Sequence, residues 1–196
     1  MDGLSGPLNF PHRSLYRANL MGADLRGAVL KSADLREANL IAASLRQGNL
    51  RSANLARALL RRCNLSEADL RDVQANEADL SGAALTDSEA QGICLYRANL
   101  TGAVLIRGHF AQTYGPEAHC QDLWGDRLDL RWANLRNASF SGARLRYARL
   151  DGADLRGADF TSADLEGASL IGARLEGAHF TGANLRTVHF DPVVVG

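Results

Sequence analysis

Hydrophobic residues recur along this chain with a period of five. Of the 37 positions whose numbers are multiples of five between Phe10 and Phe190, 32 hold Leu or Phe. The exceptions are Ala75, Ala90, Gly115, Cys120 and Gly125. Two places before these centres, from Ala18 to Ala183, 25 of 34 residues are Ala, and Gly48, Cys63, Ser88 and Gly108 are small as well. The residue just before the centre is often Asp or Asn, as at Asn19, Asp24, Asp34, Asn39 and Asp69. Neither common period explains this. Five residues advance a helix by about 500°, so successive Leu drift by about 140° and make no stripe. In a strand, residues five apart point to opposite faces, which exposes half of the Leu. The pattern predicts a chain that turns once every five residues, with Leu at the centre and Ala filling the space beside it. Asn, Asp, Gly, Ser and Thr then serve the turns, through side-chain bonds to the backbone or through positive φ. Stacked turns pair their backbones coil to coil, as in β-solenoids.

The recurring unit, written here as ADLRG, ANLMG, ADLRE, ADLSG and ANLTG, resembles that of the pentapeptide-repeat family over roughly residues 8–190. The resemblance implies an all-β fold, a right-handed quadrilateral β-helix with four pentapeptides per coil and about nine coils. At a strand spacing of ~4.8 Å the rod is then about 43 Å long. One echo fits the longer beat: LYRANL at 15–20 returns at 95–100, four coils later. The expected organisation is an N-terminal cap over 1–13, β-helix over 14–110, an interruption at 111–129, β-helix over 130–190, and a tail over 191–196.

The pattern weakens in three places. At 71–95, Ala75 and Ala90 replace centres while Val73 and Ile93 replace small neighbours, which suits an exchange of volume. At 111–129, AQTYGPEAHCQDLWGDRLD has Gly-Pro, two Gly and no Leu in frame. That segment is either one degenerate coil or a loop of about 15 residues leaving the rod. The loop is the favoured expectation, since aromatic residues beside Gly and Pro suit a partner anchor. The third place is the ends, where a solenoid exposes its core and strand edges. Val193, Val194 and Val195 are candidates to fold over the last coil. So short a tail is little cover, which makes pairing of two chains through the C-terminal end a candidate homodimer.

Composition narrows the chemistry. Lys+Arg and Asp+Glu are 22 each, so bulk charge does not drive nucleic-acid binding, and no direct nucleic-acid contact is expected. No apolar run approaches the ~18 residues of a membrane span. The N-terminus shows no secretory pattern, and cytoplasm is the expected compartment. The three Cys, at 63, 94 and 120, form no framework or metal motif. His109, His119, Cys120 and Asp122 gather near the interruption, but in no spacing that marks a nucleophile or a metal. No catalytic, metal or cofactor site is expected, and the chain reads as a non-enzyme.

Charge is uneven along the chain. Arg46, Arg51, Arg57, Arg61 and Arg62 make a basic belt; Glu67, Asp69, Asp72, Glu77, Asp79, Asp87 and Glu89 make an acidic one. Ion pairs between adjacent coils are the expected outcome for the basic belt. The acidic belt and the interruption are the candidate protein-binding surface: Asp72, Glu77, Asp87, Glu89, Tyr114, Glu117, Asp122, Trp124 and Asp126. The side holding Met21, Ile41, Arg61, Ser81, Thr101, Ser141, Thr161 and Thr181 reads as a ladder of small hydroxyls. Within the family, the repeats resemble the Leu/Ala-rich heterocyst-regulator type, thought to act by protein contact, more than the quinolone-resistance type. The expected function is therefore a regulatory, protein-binding rod acting through its faces and a mid-chain loop. The alternative is a DNA-mimicking factor that protects gyrase from a topoisomerase poison. Neutral charge, 21 Arg and few Phe centres weigh against it.

Overall fold

The structure, a computed structural model, describes residues 8–191. Its backbone obeys one rule throughout: residue n forms a parallel bridge with residue n+20, from Asn9↔Val29 to Ser169↔His189. Between bridges the chain turns, every five residues and without exception from Pro11 to Thr187. Four turns per bridge repeat make a four-sided coil, and the path from Asn9 to His189 makes nine of them. Side one has its centres at Phe10, Leu30, Leu50 and so on to Phe190; sides two, three and four start at Leu15, Leu20 and Leu25.

The five-residue unit satisfies its own backbone. Around Leu50, Asn49 N–H donates down to Ala28 O (2.9 Å), while Leu50 and Ser52 N–H donate up to Asp69 O (2.8 Å) and Arg71 O (2.9 Å). Ala53 N–H closes the turn onto Leu50 O at 2.8 Å. The remaining donor, Arg51 N–H, meets the side-chain oxygen of Asn49 at 3.2 Å. All five N–H groups thus have partners, which is why Asp or Asn recurs just before the centre. The second residue after each centre has positive φ from His12 to Thr187, at 54–61° for other residues and 64–73° for glycine. Positive φ at the third residue of a four-residue turn is the type II arrangement. Here even Trp132 and Tyr147 adopt it (φ 60° and 56°), a strained choice for bulky side chains that the flanking ladder enforces.

Inside, the Leu and Ala positions form one continuous buried cluster from Leu25 to Leu170. Phe140, Phe160 and Phe180 stack in one column on side three, with ring centroids 5.1 Å apart. Ser88 and Thr113, which replace Ala, donate their buried hydroxyls to the turn carbonyls of Leu85 (2.8 Å) and Phe110 (2.7 Å). Val73, Ala75, Ala90 and Ile93 are all buried, so the weakened stretch at 71–95 keeps the register.

The segment 111–129 does not leave the rod. Cys94↔Tyr114, Asn99↔His119, Val104↔Trp124 and Tyr114↔Asn134 bridge it on both edges, so it is a coil and not a protruding loop. The physical reason is a transfer of bulk. A Cβ on Gly125 would lie 2.9 Å from Leu123 Cδ2, 2.9 Å from Leu128 Cδ2 and 3.0 Å from Leu145 Cδ2. Leu123 and Leu128, standing where Ala is usual, fill the space of the missing centre Leu. Gly108 does the reverse, making room for the Phe110 ring, which a Cβ there would approach to 2.7 Å. Of the cap expected over 1–13, residues 8–13 instead begin the first coil, where Asn9 bridges Val29 and Phe10 N–H donates to Val29 O; residues 1–7 and 192–196, including Val193–Val195, lie outside the described residues.

Two substitutions test this packing. Leu150→Asp places a charge at a fully buried centre and is expected to cost more than about 4 kcal/mol, read by denaturant titration. Gly125→Leu restores the motif yet overpacks the site, and a loss of about 1–3 kcal/mol is expected.

Candidate interaction surfaces

With the core filled, outward groups come from three positions per unit: the residue before the centre and the two after it. Register decides who meets whom. The basic belt lies one coil below the acidic belt, so their charges pair: Arg46–Glu67 (2.6 Å), Arg51–Asp72 (3.6 Å), Arg57–Glu77 (3.0 Å) and Arg61–Asp79 (3.7 Å). On the corner after side two, Arg and Glu alternate through Arg17, Glu37, Arg57, Glu77, Arg97 and Glu117. Three ion pairs stand in that column, with Arg17–Glu37 and Arg97–Glu117 at 2.7 Å. Exposed pairs of this kind contribute little each.

A second charge motif is local. Where Asp precedes the centre and Arg follows it, the guanidinium grips the carboxylate with two nitrogens: Arg26–Asp24, Arg36–Asp34, Arg71–Asp69, Arg131–Asp129 and Arg156–Asp154. These bonds hold the carboxyls of Asp24, Asp34, Asp69 and Asp154 below the usual range. At Asp129, burial works against the charge, but Arg131 outweighs it and the carboxyl is again lowered.

The nine expected interface residues do not converge. Glu89 lies on side one, near His109 (4.0 Å), and Asp72 on the corner that follows it. Tyr114 lies on side two, with Glu77 and Glu117 on the next corner. Asp122 follows side three. Trp124 lies on side four, with Asp126 and Asp87 after it. Asp87 is held by Arg107 (2.6 Å) and Asp126 by Arg144 (3.1 Å), whose guanidinium also sits 5.8 Å above the Trp124 ring. Tyr114 and Trp124 are half exposed. The sequence ladder of Ser and Thr does fall on one side, side three.

Among the exposed aromatics outside the expected set, two stand out. Trp132 is 66% exposed and Tyr147 is 54% exposed. Each lies flat on a glycine one coil later: a Cβ on Gly152 would be 2.2 Å from the Trp132 ring, and one on Gly167 would be 2.5 Å from Tyr147. Their place in the frame, two after a centre, marks them as outward. Reactive chemistry is sparse. Burial pushes the thiols of Cys63 and Cys120 up to about 12, which keeps them neutral. Among the described residues, no group of three or more His, Cys, Asp or Glu is placed to hold a metal, and no helix is long and apolar enough to cross a membrane.

Comparison with known proteins follows these features closely. The family model described as Pentapeptide repeats matches residues 18–55, 53–89, 126–161 and 158–190. The stretch between them contains Ala90, Gly115, Cys120 and Gly125, where bulk has moved off the centre. A search of curated proteins gave no match. The chain is similar to the solved structure of HetL, a pentapeptide repeat protein involved in heterocyst differentiation regulation from the cyanobacterium Nostoc sp. strain PCC 7120. The two share 35% identity over 94% of this chain and 90% of that one, with a TM-score of 0.61. It also shares its fold with QnrB1, a plasmid-mediated fluoroquinolone resistance protein, at 22% identity over 94% and 90% of the two chains and a TM-score of 0.56. The motif, the 20-residue register and these matches together make the chain a member of the pentapeptide-repeat family, folded as a right-handed quadrilateral β-helix.

Proposed function

We propose that this chain is a non-enzymatic, protein-binding repeat protein with a regulatory role, and that its outer walls are its working surface. The observation that carries this reading is the division of side chains. The interior is filled by Leu, Phe, Ala and neutral thiols, and what chemistry remains is spread over four outer sides without a convergent site. Similarity to HetL supports the regulatory part. Because 111–129 is a coil, binding runs through the walls, with the half-exposed Tyr114 as the aromatic anchor on side two. A photo-crosslinking residue placed singly at Ala111, Ala56, Ser141 and Thr86 samples the four sides in the source cell. A specific adduct with a protein of another sequence, from one side or two adjacent sides, is expected; no such adduct from any side overturns the reading.

The gyrase-protection alternative needs an acidic stripe that passes for DNA. Here Arg51, Arg57 and Arg107 stand against Asp72, Glu77 and Asp87, which leaves no continuous stripe of unpaired acid in that region. Purified protein is therefore expected to leave quinolone inhibition of gyrase supercoiling unchanged, and relief of inhibition establishes the alternative.

A further inference from the structure

Side four carries an apolar patch at its middle. Ala84, Val104 and Trp124 stand one above another in successive bridges, and Ile106 lies beside Val104. Trp124 is 52% exposed, and the other three are partly exposed. Apolar groups held outward, ringed by charge, have the anatomy of an interface core and rim. The patch also has a symmetry. The rows of side four run from Asp24 to Asn184, and Val104 is the fifth of nine. A two-fold axis lying across this side at Val104 keeps each column and reverses the order of the rows.

We propose that a second copy of this chain docks on side four, antiparallel and rod beside rod, across a two-fold axis at Val104. Under that operation Val104 and Ile106 meet their own counterparts, and Trp124 covers the small Ala84 of the second copy. Asp87 faces Arg127, which has no ion pair among the described residues, and Arg46 faces Glu166. Through the middle seven rows, Arg107 is the one charge that meets its own kind, and its own Asp87 already holds it at 2.7 and 2.6 Å. A parallel pairing of the same side sets Arg144 against Arg146 and Asp164 against Glu166, so like charges select the antiparallel arrangement. The contact is isologous and closes at two copies. It leaves sides one to three uncovered, and it goes beyond the protein-binding reading without resting on it.

Sedimentation equilibrium of the full chain tests this. A species of twice 21.1 kDa is expected, and Ile106→Arg should weaken the association at least about tenfold. That position already holds Arg in other rows, at Arg46, Arg146 and Arg186, so the variant keeps the fold, which circular dichroism checks. In a Cys94→Ser background, Val104→Cys should oxidise to a covalent dimer, because the axis brings residue 104 onto itself, while Ala56→Cys on side two should not. Monomer at every concentration, a dimer indifferent to Ile106→Arg, or preferential linkage through position 56 overturns the proposal.

Discussion

The bond from each centre N–H to the carbonyl nineteen residues later is the constraint on which everything else in this rod depends. It forces the next coil to lie directly above the last, and so converts a sequence separation of twenty into direct contact. Leu30 to Asn49, Leu50 to Asp69 and Leu70 to Glu89 are successive rungs, at 2.6–2.8 Å. With that ladder in place, the inward side chains have no choice of neighbour, and each coil packs only on the coils beside it. The strain of positive φ at non-glycine corners is borne by the same ladder, since both sides of every turn are tied to the coils above and below.

The ladder also fixes the meaning of charge. A run of five Arg followed by a run of acids would read, in an ordinary domain, as two patches of opposite potential. Here the runs are about one coil long, so they become stacked rings of opposite sign. Arg46, Arg51 and Arg57 find Glu67, Asp72 and Glu77 about twenty residues on. The surface is therefore nearly self-neutralised at contact distance, and the places that stand out are those without such pairs: the aromatic groups, the hydroxyls of side three, and the apolar middle of side four.

Most of the fold was legible in the sequence because one period governs every unit, and the inward and outward positions follow from it by counting. The part that counting leaves open is 111–129. Counting Leu at the centre misses a core whose volume is conserved by Leu123 and Leu128 around Gly125, because the period reports position while packing responds to volume. The surface was less legible. Its candidate residues were grouped by nearness in sequence, whereas residues five apart sit on different sides and residues twenty apart touch. Tyr114 and Trp124 illustrate this: ten residues apart, they stand on opposite walls. Trp132 was within reach of the same counting, and the glycine beneath its ring, twenty residues later, was a further sign.

The twenty-residue register has a consequence for how such a chain tolerates insertion and deletion. Loss of one pentapeptide leaves the core frame intact but rotates all that follows by a quarter turn against what precedes it: a loss between Arg57 and Glu67 carries Glu67, Asp72 and Glu77 away from their arginines, and one between Trp132 and Gly152 takes the ring off its glycine. Loss or duplication of a whole coil disturbs only one junction. The natural genetic quantum of this molecule is therefore four motifs rather than one, and its length can change in steps of a full coil while every wall keeps its identity.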